Sequence, residues 1–89
     1  ATLSDLVSIQ KMEERIFKNP WSNKSIRNEL KRDMNALNLV AELDQNIIGY
    51  FFAHLLDNEV HILNIAIDVT YQHQGYGNQF FRKILENYL

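Results

Sequence analysis

The sequence predicts an α+β domain: two helices, then a three-stranded antiparallel meander, then one further helix. Three observations carry that reading. Apolar residues recur at helical spacing before residue 35. Three runs rich in β-branched and aromatic residues follow between Leu37 and Val69, separated only by short polar turns. Helical spacing then returns after two closely spaced glycines, Gly75 and Gly77.

Taken in order, Ser4 is a candidate N-cap and Asp5 suits the positive end of a helix whose inner face carries Leu6, Ile9, Met12 or Glu13, and Ile16. Lys18-Asn19-Pro20 stops it. Ser22 offers a second cap, and Ile26, Leu30 and Met34 follow at four-residue spacing, predicting a second helix to near Asn35. Leu37 to Leu43 reads as a strand, Asp44-Gln45-Asn46 as its turn, and Ile47 to Leu56 as a second strand. Asp57-Asn58 begins another turn, and the run from Val60 to Val69 reads as a buried third strand. From about Gly77 to Tyr88 the chain is helical, with Phe81, Ile84, Leu85 and Tyr88 on one stripe.

Eighty-nine residues make a single small domain, residues 1–89, with no interdomain linker, internal repeat or low-complexity tract. A hydrophobic content of 46% is that of a folding chain, not a disordered one. Nine basic against eleven acidic residues give a net charge of −2 with no basic stripe, which disfavours nucleic acid as a partner. With no cysteine there is no disulfide, no thiolate zinc site and no cysteine nucleophile. No apolar run reaches the length of a membrane span and no signal-peptide pattern is visible, so the expected setting is the cytoplasm.

The most informative segment is Gln72-His73-Gln74-Gly75-Tyr76-Gly77, between the third strand and the last helix. The first amides of a helix lack intrahelical acceptors, and the helix dipole adds roughly half a positive charge there, so phosphate is the natural guest. Glycines permit positive φ and leave no Cβ in the way of a pyrophosphate approaching the main chain. A dinucleotide fingerprint would need a third glycine where Phe80 stands, and a P-loop would need Gly-Lys-Ser/Thr; neither is present.

What remains, Gln-x-x-Gly-x-Gly after a strand, resembles the acyl-CoA pyrophosphate loop of the GNAT superfamily of N-acetyltransferases. Asn64-Ile65-Ala66-Ile67-Asp68 followed by Tyr71 to Gly77 looks like that superfamily's strand-and-loop signature, and Asn19-Pro20-Trp21-Ser22 is similar to its bacterial branch acetylating the N-terminal alanine of ribosomal protein S18. The resemblance implies a GNAT-like fold of which this chain is roughly the N-terminal half to three-fifths, the C-terminal part being absent. It implies acetyl-CoA as donor and a protein or peptide N-terminus, such as that of ribosomal protein S18, as acceptor. The main chain of Ile65, Ala66 and Ile67 would pair with the pantetheine arm, and His73, Gln74, Gly75, Tyr76, Gly77 and Asn78 would wrap the pyrophosphate. The family's acidic general base and its proton-donating tyrosine have no matching positions, so the catalytic residues are unknown, and Tyr71, Tyr76 and Tyr88 do not fill the gap.

Each of these residues also has an ordinary structural explanation. Ile65, Ala66 and Ile67 are core side chains whatever their main chain does. Asn64 reads first as a hydrogen-bonded polar group within an apolar strand, and second as a substrate contact. His73 reads as solvated or as a charge for phosphate. Pro20-Trp21-Ser22 is a helix stop, an anchor and a cap; the resemblance adds a border on the acceptor groove. His54 and His61 lack the further ligands a metal would need, so no metal site is expected, and Glu42 and Glu59 read as solvated. The strand ending at Val69 should present an unpaired edge through which the chain could associate with a second copy. The competing function is therefore a catalytically incomplete, acyl-CoA-binding or self-associating unit, and a plain α/β scaffold with an incidental glycine turn is a third.

Overall fold

Asp5 accepts through Oδ2 from the Thr2 N–H at 2.9 Å, holding a single 3-10 turn, Leu3–Asp5, ahead of helix α1, Leu6–Ile16. The cap expected at Ser4 lies two residues earlier: Ser4 is inside the turn, its hydroxyl 2.7 Å from that of Thr2, and Thr2 has the extended backbone of a cap. The structure, a computed structural model, describes residues 1–32 and 34–89. Helix α1 buries Leu6, Ile9, Met12 and Glu13, so both residues weighed for its inner face are in the core.

Ser22 caps helix α2, Asn23–Leu30, by accepting from the Ser25 N–H at 3.1 Å. This helix stops at Leu30, five residues short of the expected end. The Arg32 N–H closes back on the Glu29 carbonyl at 3.1 Å and the Asn38 Nδ2 takes the same carbonyl at 2.9 Å, so acceptors that a longer helix would use are already filled. Asn35 has a φ of 56°, which turns the chain out of the helix, and Met34 is 71% exposed instead of packed. Asp33, also within the span expected to be helical, lies outside the described residues.

Strands β1 (Ala36–Leu43), β2 (Asn46–Leu56) and β3 (Glu59–Ile67) form an antiparallel meander in the order β1-β2-β3. Both hairpins turn on two residues with left-handed φ, Asp44-Gln45 at 52° and 70° and Asp57-Asn58 at 50° and 64°. These are the conformations whose twist matches paired strands, and Asp and Asn tolerate them well. Asn46, expected in the first turn, already belongs to β2. Within β3 the register slips: Phe52 faces Asn64 and Ala53 faces Ile62, leaving Leu63 as the extra residue of a bulge.

β2 is the central strand and is buried from Ile48 to Ala53 because both faces are covered. Tyr50 and Phe52 pack with Ala66 against Leu6, Ile9, Met12, Ile26 and Leu30 of the two N-terminal helices. Phe51 and Ala53 face Ile84 of the last helix, α3, Tyr76–Asn87. Gly49 lies opposite Ile67, where a Cβ would come within 2.6 Å of the Ala66 carbonyl oxygen, so only glycine allows β2 and β3 this close.

Three expectations about the C-terminal half need correcting. The third strand is not buried: of β3 only Ala66 is enclosed, while Glu59 to Leu63 and Ile65 are exposed, because β3 is the sheet edge. The third strand ends at Ile67, not Val69: Val69–Tyr71 form a 3-10 turn, and the Asp68 N–H reaches the Ile48 carbonyl at 2.7 Å while its side chain leaves the sheet. The apolar stripe of α3 is not buried as a unit. Ile84 is enclosed and Phe80 packs beside it, but Phe81 and Leu85 are 38% and 48% exposed and Tyr88 is exposed too. With β3 at the sheet edge, no described element covers that side of the helix.

Candidate functional site

The loop between β3 and α3 is fixed from behind. Arg15 of α1 donates to both carboxylate oxygens of Asp68, Nε to Oδ1 at 3.0 Å and Nη2 to Oδ2 at 2.6 Å, clamping the point where β3 ends. The hydrogen bond to Asp68 raises the Arg15 pKa, burial opposes this, and the carboxylate charge adds to the rise. Next, Gln72 Nε2 donates to the Ile67 carbonyl at 2.9 Å and Gln74 Nε2 to the Thr70 carbonyl at 3.1 Å. Tyr71 and Tyr76 meet edge to face, 6.1 Å between ring centres, across the bend.

Gly75 stands at the N-cap of α3 with a φ of 84°, and His73 has a φ of 64°. The reading that both glycines use positive φ holds only for Gly75. Gly77 lies within the helix, which begins one residue earlier than expected, and a Cβ there would meet Ile67 Cγ1 at an ordinary 3.7 Å. After Gln72, whose N–H reaches the Val69 carbonyl at 3.4 Å, the next amide with a partner is that of Gln79, which donates to the Gly75 carbonyl at 3.2 Å. The N–H groups of residues 73–78 meet no acceptor among the described residues, and no side chain caps the helix. A row of open amides at a helix N-terminus, with left-handed residues curling the chain around it, is suited to an oxyanion group such as a phosphate.

The residues singled out in the sequence are thus brought to one corner. His73, Gln74, Gly75, Gly77 and Asn78 are exposed along the turn and Tyr76 is half-buried. Ile65, Ala66 and Ile67 lie at the adjoining end of β3. Ala66 packs into the helical core, Ile67 is half-buried, and Ile65 is exposed, so the expectation of three core side chains fails at Ile65. As β3 is the sheet edge, alternate main-chain groups of this segment point away from β2. The Ile67 carbonyl is not open to a ligand, because Gln72 holds it.

A second polar cluster lies on the other face of β3. Glu13 of α1 is 1% exposed, and its carboxylate accepts from three donors: the Tyr50 hydroxyl, Asn64 Nδ2 at 2.7 Å, and the Trp21 main-chain N–H at 2.8 Å. It ties α1, β2, β3 and the Pro20-Trp21 segment together, and Trp21 itself packs on Phe52 with ring centres 5.6 Å apart. The hydrogen-bonded reading of Asn64 holds. What the sequence did not reveal is its partner: in Met12-Glu13-Glu14-Arg15 the two glutamates look alike, and only the tertiary contact separates them.

His54 and His61 face each other across β2 and β3, but each turns to its own carboxylate, Glu29 at 2.9 Å and Glu59 at 3.2 Å. Among the described residues no group of three or more His, Cys, Asp or Glu side chains could hold a metal ion. No helix among them is long and apolar enough to cross a membrane.

Residues 6–88 match the model of the acetyltransferase (GNAT) family, and the chain belongs to that family. Its fold is similar to that in the crystal structure of the ribosomal-protein-S18-alanine N-acetyltransferase from Escherichia coli, with a TM-score of 0.87 over 97% of this chain at 23% sequence identity. The chain spans 54% of the length of that structure. No curated protein matches it.

Proposed function

We propose that this chain carries the donor-binding part of an N-acetyltransferase that moves acetyl from acetyl-CoA to the amine of a protein N-terminus, of the ribosomal-protein alanine type. The observation that supports this most is the run of open amides at residues 73–78 beside the edge of β3. In this reading the amides hold the coenzyme's diphosphate. The outward main-chain groups of Ile65 and the Ile67 N–H, which Gln72 leaves free, align the pantetheine arm, with Ala66 between them turned toward β2. The thioester then lies along β3, where an N–H can receive the charge that develops on its oxygen.

The reaction is a direct transfer. The acceptor nitrogen bonds to the thioester carbon, the C–S bond breaks, and the thiolate leaves while the nitrogen gives up a proton. The chain's part is to orient the donor and stabilise the oxyanion; no residue of it is assigned as base or acid. A soluble, cytoplasmic setting fits this reading. So does a peptide N-terminus such as that of ribosomal protein S18, whose alanine is the acceptor in the name of the similar E. coli enzyme.

The test is calorimetric titration with CoA. Native chain should bind; Gly75→Val, which forces a β-branched residue to a φ of 84°, should bind at least tenfold more weakly. Absence of heat with native chain would remove the proposal.

A second reading, a coenzyme-binding or self-associating unit without turnover, is favoured by one observation. Ile62, Leu63 and Ile65 on β3 and Phe81 and Leu85 on α3 are all exposed beside an unpaired strand edge. Incubation with acetyl-CoA and an alanine-initiated peptide separates the two, since free thiol appears only if transfer occurs. Sedimentation velocity at high concentration tests the association, which a single monomer peak would exclude.

A further inference from the structure

The Asn64 carboxamide is held by one end only. Its Nδ2 donates to Glu13 Oε2 at 2.7 Å and approaches the Tyr50 hydroxyl at 3.4 Å. A carboxylate only accepts, so this contact fixes which end of the amide is the nitrogen. The Oδ1 receives a hydrogen bond from no described residue, and it is not among the enclosed polar atoms, so it opens to solvent. A rigid acceptor oxygen therefore sits one residue, about 3.3 Å along the strand, before the Ile65 to Ile67 segment.

We propose that Asn64 receives the terminal amine of the acceptor through Oδ1, with Glu13 and Tyr50 as positioning residues that fix the carboxamide. This rests on the donor-binding reading above and deepens it by naming the contact for the amine.

Three features fit an amine and not an acid or an ether. The open atom is an acceptor, so its guest must donate. The Glu13 charge lies directly behind the carboxamide, polarising it and setting a negative potential that favours an ammonium or amine and repels a carboxylate. The same carboxylate holds the Trp21 N–H, so the segment walling this face and the receiving oxygen are set by one group. Held at Oδ1 by an N–H, the nitrogen lies beside the strand along which the thioester is placed.

The experiment uses the chain saturated with CoA, so that no transfer intervenes. An alanine-initiated octapeptide is compared with its des-amino counterpart, in which propionyl replaces alanyl. Native chain should bind the amine-bearing peptide about tenfold more tightly, as expected for a hydrogen bond to a charged group. Asn64→Ala should bring the two affinities together with CoA affinity unchanged. An unaltered preference in Asn64→Ala, or a native chain that binds CoA but does not discriminate, overturns the inference. Failure to bind CoA at all instead defeats the donor-binding reading. Should Asn64→Ala not fold, the native Asn64 side-chain NH2 resonances decide: they should shift with the alanyl peptide and not with the des-amino one, and equal response to both overturns the assignment.

Discussion

Gly49→Ala is a one-methyl change whose cost can be worked from the backbone. The new Cβ would stand 2.6 Å from the Ala66 carbonyl oxygen and 2.7 Å from Ile67 Cδ1. The isoleucine can rotate, but the carbonyl belongs to β3 and cannot move alone. Restoring an ordinary contact of 3.4 Å requires β2 and β3 to part by about 0.8 Å at the Gly49–Ile67 pair. Adjacent ladder bonds lengthen, and the Asp68 N–H bond to Ile48, the next link, is pulled with them. Overpacking of this kind costs about 1–3 kcal/mol, and because backbone is displaced the upper half of that range is expected. With a urea slope of about 1 kcal/mol per molar for a domain this small, the midpoint should fall by about 2–3 M. The displaced strand is also the one proposed to align the pantetheine arm, so CoA affinity should fall in the remaining folded protein. Equilibrium urea unfolding followed by tryptophan fluorescence reports the first effect, since Trp21 lies against Phe52 of β2. A midpoint within about 0.3 M of native would refute the close-approach reasoning.

Other outcomes follow from the same contacts. Glu13→Ala should lower stability by about 3–5 kcal/mol, because it orphans the Tyr50 hydroxyl, the Asn64 amide and the Trp21 N–H together; thermal melting checks it, and a small shift would mean these donors find water. Ser22→Ala should cost about 1 kcal/mol by leaving the Ser25 N–H without its cap, measurable by urea midpoint and absent in Ser22→Asp. Arg15→Gln should cost about 1 kcal/mol, the top of the range for exposed pairs, as the arginine is half exposed while Asp68 is buried. Its pH dependence has a definite sign. A guanidinium whose pKa is raised on folding contributes fully below its ordinary value and loses that contribution only as pH climbs through the raised one, so the cost should be equal at about pH 7 and pH 10.

Local rules made much of this molecule legible. The cap at Ser22, the stop at Pro20, the turn residues Asp44-Gln45 and Asp57-Asn58, and the apolar run from Ile47 to Ala53 in β2 all act over a few residues. The sequence therefore shows them directly. The loop was readable for the same reason: Gly75 holds the left-handed position that glycine advertises.

The misreadings arise where a distant contact overrides a local pattern. Met34 continues the four-residue spacing of α2, but Asn38 and Asn35 end the helix first. Val69 extends an apolar run, yet Arg15, 53 positions before Asp68, draws the chain out of the sheet. Glu13 and Asn64 are 51 residues apart, and nothing in either neighbourhood announces their partnership. The α3 stripe is legible as an apolar face, but periodicity does not say what covers it, and only Ile84 is enclosed.

The central claim is that the amides of residues 73–78 grip a coenzyme's diphosphate. Amide chemical-shift mapping of the labelled chain with CoA, and separately with pantetheine, tests it most directly. CoA should shift His73 to Asn78 strongly, while pantetheine, lacking the diphosphate, should leave them unmoved. Equal and negligible shifts at those residues with saturating CoA would contradict it.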